Sequence, residues 1–101
     1  MSDTFTQYIA GIVIKIAEIR NIEVDKLMTQ KKSHDVCITR YMIYNYLHSE
    51  LCVSANKIGK YFNSTRRSVL RGIQTLKDWM VYHSSIKNEY NEIIKQLKGG
   101  D

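Results

Sequence analysis

Proline is absent from all 101 residues, and only five glycines occur. Nothing therefore interrupts a helix interior, and the few glycines fall mostly where turns are expected, so an all-helical chain is expected. No apolar run approaches the roughly 20 residues that a membrane span needs. The first residues, Met1-Ser-Asp-Thr, lack the basic start and apolar core of a signal peptide. The two cysteines, Cys37 and Cys52, are accordingly expected as free, partly buried thiols in a reducing cytoplasm. There is no glycine-rich phosphate loop, no nucleophile elbow and no pair of carboxylates placed for acid–base work, so neither an enzyme nor a bound cofactor is expected.

What is present is one domain's worth of chain. The apolar fraction of 44% is ordinary for a globular protein, which excludes disorder. A net charge of +5 and a pI of 9.3 suit a polyanionic partner without requiring one. We assign residues 1–98 to a single domain and 99–101 to a flexible tail.

Hydrophobic periodicity gives about six helices. Phe5, Ile9, Ile12, Ile16 and Ile19 form one stripe on a first helix from Thr4 to Arg20, capped by Asp3 or Thr4 and broken by Asn21. A short second helix covers Ile22 to Met28 with Ile22, Leu27 and Met28 inward. The polar stretch from Thr29 to His34 holds Lys31 and Lys32 and reads as a basic loop. Asp35 caps a third helix reaching Leu51. Ser54 caps a fourth that ends near Tyr61 or Phe62, and Asn63 and Ser64 form a turn. The fifth spans Thr65 to Tyr82. The sixth is capped by Ser84 or Ser85 and turns Ile86, Tyr90, Ile93, Ile94 and Leu97 inward.

The run from Ser54 to Arg71 is thus a short helix, a turn and the start of a longer helix. That second helix opens with Ser64, Thr65, Ser68 and three arginines and contains no acid there. At 100° per residue, Val69, Ile73, Leu76 and Met80 fall on one side and Arg66, Arg67, Arg71 and Gln74 on the other. A charged face is often only a solvated one. Here the charges carry one sign, all are arginine, and they follow a capped turn at a helix start, whose free N–H groups already attract phosphate. Arginine's planar fork grips phosphate, or guanine O6 and N7, bidentately. The pattern points to a helix-turn-helix unit that binds double-stranded DNA. Ser64 or Thr65 caps the helix, and Ser68, one turn in, is placed for a phosphate or base edge. Lys31, Lys32 and Arg40 form a second candidate patch, on flanking phosphates or in a minor groove, with Tyr41 beside it.

Metal binding is the competing reading of His34-x-x-Cys37 and His48-x-x-x-Cys52. Cys37 and His48 lie eleven residues apart on one expected helix. That is about 16 Å, too far for one zinc shell.

Several of these motifs resemble the C-terminal DNA-binding domain of the bacterial replication initiator DnaA, a helix-turn-helix variant similar in fold to the Trp repressor. The resemblance runs from about Ile12 to Leu97. Ile16-Ala-Glu through Leu27-Met28 looks like the family's opening, and Gln30-Lys-Lys-Ser33 falls at its basic loop. Thr39-Arg-Tyr-Met42 stands where the family reads Pro-Arg-Gln-Met. Ser54-Ala-Asn-Lys-Ile-Gly-Lys-Tyr-Phe62 matches its Ser-x-x-Glu-Ile-Gly-x-x-Phe. Ser85-Ile-Lys87 and Ile93-Ile-Lys95 echo its last helix. The resemblance implies Lys32 in the minor groove, Arg40 and Tyr41 at the third helix, and Ser64, Thr65, Arg66, Arg67, Ser68 and Arg71 on the recognition helix.

The chain departs from the family at its hallmark Gly-Gly-Arg-Asp-His-Thr-Thr. The stretch from Phe62 to Val69 is one residue shorter, the Asp and His are missing, and Arg67-Ser68 replaces the Thr pair. The family's target sequence therefore does not carry over, and the chain has no nucleotide-binding domain. A bacterial or phage protein of the cytoplasm and nucleoid, serving replication or transcription, is expected. Two rivals keep the fold. One is a protein-interaction module, binding a replication or transcription protein or itself. The other is a transcriptional regulator with a small-molecule corepressor, which needs a dimer and a pocket.

Overall fold

Asn21, Cys52 and Asn63 are the only described non-glycine residues with positive φ, at 59°, 57° and 55°. Each ends a helical segment, and together they divide the chain into its units. The computed structural model describes residues 4–29 and 33–99. These form six helices and, among the described residues, no strand: α1 Thr4–Arg20, α2 Val24–Met28, α3 His34–Asn45, α4 Ala55–Tyr61, α5 Arg66–Tyr82 and α6 Ser84–Lys98. A π-helical turn over Tyr46–Glu50 continues α3.

α1 stops because Asn21 enters the left-handed region, which asparagine tolerates better than most residues. The Asn21 N–H then donates to Glu18 O and the Ile22 N–H to Ala17 O, which satisfies carbonyls the helix end would strand. α4 ends by the same device. The Asn63 N–H donates to Lys60 O, and the Ser64 N–H donates to Gly59 O at 2.7 Å. Thr65 starts α5 at once, its Oγ1 accepting from the Ser68 N–H at 3.1 Å. Ser54 does the same for α4 through the Lys57 N–H. The two capped ends leave only residues 62–65 between α4 and α5.

α3 is the central element. It packs against α1, α2 and α5, while α5 also packs on α4 and α6. The core runs through Val13 and Ile16 of α1, Met42 and Ile43 of α3, Ile58 of α4, Val69 and Leu76 of α5 and Ile93 of α6, each at or near zero exposure. Two polar fixtures cross it. The buried Asn45 Nδ2 donates to the Tyr90 hydroxyl at 2.9 Å, tying α3 to α6. The largely buried Arg20 donates from Nε to Thr39 Oγ1 at 3.1 Å and pairs with Glu89 and Asp35, holding α1, α3 and α6 together. Burial pushes the Tyr90 hydroxyl up to about 12, partly offset by the Asn45 hydrogen bond.

Several sequence expectations are corrected. α3 begins at His34, with Asp35 inside its first turn, and no side chain caps it. Ser84 is the first residue of α6, preceded by His83 without a side-chain cap, because Tyr82 and Ser84 leave one residue in which to turn. α2 is shorter than expected, Ile22 being spent on closing α1, and Met28 is exposed rather than inward. Cys37 is half-buried and Cys52 exposed, the latter on its left-handed turn; both are free. The expected cap Asp3, the loop lysines Lys31 and Lys32, and Gly100-Asp101 lie outside the described residues.

Candidate nucleic-acid interface

α5 separates its apolar and basic residues onto opposite faces. Val69, Ile73 and Leu76 are buried, while Arg66, Arg67, Arg71 and Gln74 are exposed. The division follows from 3.6 residues per turn applied to this sequence. Met80 is only half-buried, so the apolar stripe thins toward the C-terminal end. None of the three arginines is paired with a carboxylate among the described residues. The ion pairs there involve Arg20 and Lys98. Beyond Gln74 the charges are mixed: Gln74 Nε2 donates to Asp78 Oδ1 at 3.1 Å, and Lys77 is exposed beside that acid. The cationic face from Arg66 to Gln74 therefore spans about 12 Å of helix axis.

Thr65 is the cap of α5, and this settles the choice between Ser64 and Thr65. Its hydroxyl also donates to Ser68 Oγ at 3.1 Å, so the Ser68 side chain sits over the first turn with its own proton directed elsewhere. Ser64 contributes its backbone to the end of α4, and it lines the cleft together with Tyr44.

Arg40 is not the surface residue expected from sequence. It lies in the middle of α3 and is 9% exposed. Its Nε donates to the carbonyl of Leu27 at 3.2 Å, which pins α3 to the end of α2. Nη2 is fully buried and makes no hydrogen bond among the described residues. Arg40 also borders a cleft of about 170 Å³ between α3 and α5, lined by Arg40, Tyr41, Tyr44, Phe62, Ser64, Ser68, Arg71 and Gly72. The structure thus joins Arg40, Tyr41, Ser64, Ser68 and Arg71, which sequence had assigned to two separate patches. Arg66, Arg67 and Gln74 lie outside the cleft on the exposed ridge, and Arg71 belongs to both.

Tyr41 is held rather than free to reach outward. Its ring stacks at 6.0 Å from Tyr44 and 5.7 Å from Trp79, and Trp79 meets His34 edge-on at 5.1 Å. Burial pushes the Tyr44 hydroxyl up to about 12, against the opposing pull of Arg40, so it is protonated at neutral pH. Tyr44, Phe62 and Gly72 also line the cleft, although none was a candidate site residue from sequence. The signal for Tyr44 was its position one turn after Arg40 on the same helix face.

Gly59 and Gly72 allow the close approaches that build the site. A Cβ at Gly59 would lie 3.1 Å from the Ser64 carbonyl oxygen, where α4 abuts the turn. A Cβ at Gly72 would meet the rings of Tyr41 and Tyr44. Among the described residues, no three His, Cys, Asp or Glu side chains come together as a metal site, and no helix is long and apolar enough to cross a membrane.

No family model matches the chain, and no curated protein matches it.

Proposed function

We propose that the protein is a double-stranded DNA-binding module in which α5 enters the major groove. The observation that carries this reading is the run of three exposed arginines on the first turns of α5, free of carboxylate partners among the described residues. A face built for solubility mixes charges of both signs, as α6 does with Lys87, Glu89, Glu92 and Lys95. The cationic face runs about 12 Å along a helix, the element that a major groove is wide enough to admit. Thr65, Ser64 and Ser68 add hydroxyls at the same helix start, and Lys31 and Lys32 extend the basic surface toward flanking phosphates or a minor groove. The fold and the Ser54–Phe62 motif support a relationship to the DnaA C-terminal domain, and a role in replication or transcription follows from that relationship.

A second reading has an observation of its own. Val81 and Tyr82, at the far end of α5, are 77% and 80% exposed, an apolar pair that suits a protein partner. The two readings separate in a gel shift with random duplex at low salt. Retardation at micromolar protein supports DNA binding. A free duplex at that concentration overturns it in favour of a protein-interaction module.

A further inference from the structure

We infer that the cleft between α3 and α5 is a seat for one phosphate-sized oxyanion, with Arg40 at its floor and Arg71 at its rim. The inference deepens the DNA-binding reading, since a backbone phosphate of duplex is one source of that chemistry and a free phosphate is the other.

Arg40 supplies the first argument. A guanidinium carries five donors in a fixed fork. Here Nε is committed to Leu27 O, while Nη2, in a residue nine-tenths buried, makes no hydrogen bond among the described residues. A buried charged donor without a partner is costly, and proteins retain one where it serves a ligand. The unspent donor belongs to a residue that lines the cleft.

The rest of the lining has the matching chemistry. Among the described residues no carboxylate borders the cleft. Arg71 stands at its exposed side as a second fork, and Ser64 and Ser68 bring hydroxyls. Ser68 comes from the first turn of the 17-residue α5, so the cleft adjoins that helix start. The Tyr44 hydroxyl, kept protonated by burial, brings no opposing charge. The volume, about 170 Å³, lies below the roughly 300–1,000 Å³ of sites that enclose drug-sized organic ligands. It suits a compact tetrahedral group. Arg66 and Arg67 lie outside, so the seat is chemically separable from the exposed ridge that would read bases.

The test is a calorimetric titration of the full chain with inorganic phosphate, against sodium chloride at equal ionic strength. Saturation at one phosphate per chain is expected, and Arg71→Gln, a change at an exposed position, weakens it on the order of tenfold. Arg40→Lys keeps the charge but loses the fork and weakens it similarly; if that variant does not fold, Arg71→Gln alone decides. A linear response that chloride reproduces, or saturation indifferent to Arg71→Gln, overturns the seat. Gel shifts with duplex, run with and without phosphate, identify the source. Competition by phosphate beyond that of chloride places a backbone phosphate in the seat. Phosphate saturation with no duplex binding keeps the seat and removes the DNA reading. Duplex binding without phosphate saturation removes the seat and leaves the DNA reading standing.

Discussion

A Cβ on Gly72 would stand 2.7 Å from Cδ1 of Tyr41, so the α3–α5 contact closes only because one of the two helices has no side chain there. Tyr41 cannot easily yield, because Tyr44 and Trp79 flank its ring. Alanine is the better helix former by about 1 kcal/mol, but overpacking a fixed ring costs about 1–3 kcal/mol. Gly72→Ala is therefore expected to destabilise by up to about 2 kcal/mol, read from the urea midpoint. A stabilised variant would show that Tyr41 swings away freely.

Thr65 accounts for the abrupt start of α5. Its hydroxyl accepts the Ser68 N–H and donates to Ser68 Oγ. Thr65→Ala is expected to cost about 1 kcal/mol, in the range of lost N-caps, and Thr65→Ser to cost far less. Equal losses in the two variants would shift the stabilisation from the hydroxyl to the methyl group.

Tyr44 and Tyr90 set the alkaline limit of stability. Burial raises both from 10.0 to about 12 in the folded protein. A folded pKa above the unfolded one means the proton is held more tightly in the native state. Stability from this source is complete below about pH 10 and is lost as pH rises through about 12. Each tyrosine contributes on the order of 2 kcal/mol to that loss. Urea midpoints should fall steeply across this window, and Tyr44→Phe combined with Tyr90→Phe should flatten the fall. An unchanged slope would contradict the assignment.

Arg67 and Lys31 are expected to differ in kind. Arg67 is exposed on the ridge of α5, the face proposed to meet base edges, whereas Lys31 belongs to the basic loop read from sequence. Arg67→Ala should relax sequence preference by about 1–3 kcal/mol at one position. Lys31→Ala should weaken all duplexes alike. Selection of bound sites from a random pool, repeated with each variant, checks both, and identical profiles would remove base reading by Arg67.

Much of the fold is legible in the sequence for physical reasons. The stripe of α1, the opposed faces of α5 and the caps Ser54 and Thr65 are local features, set by periodicity and by one side chain bonding to a nearby N–H. The left-handed Asn21 and Asn63 mark helix ends for the same local reason. Arg40 was not legible in this way. Its burial depends on the carbonyl of Leu27, thirteen residues away, and its place in the cleft depends on α5 packing across α3. The cleft as a unit joins side chains of residues 40 to 72, so no short window contains it. Gly72 gave no signal either, since its meaning lies in the ring opposite. The π-helical turn after Asn45 likewise looks like uninterrupted helix in the periodicity.

The central claim is that the unpaired arginines of α5 meet the phosphates of a duplex, and the salt dependence of duplex affinity tests it most directly. With about six phosphates engaged, affinity should fall on the order of a thousandfold or more between roughly 50 and 200 mM salt. Replacing one phosphate-bound arginine should reduce the slope by about 1. An affinity that stays flat across that range, with a slope unmoved by losing Arg66 or Arg71, would contradict the account.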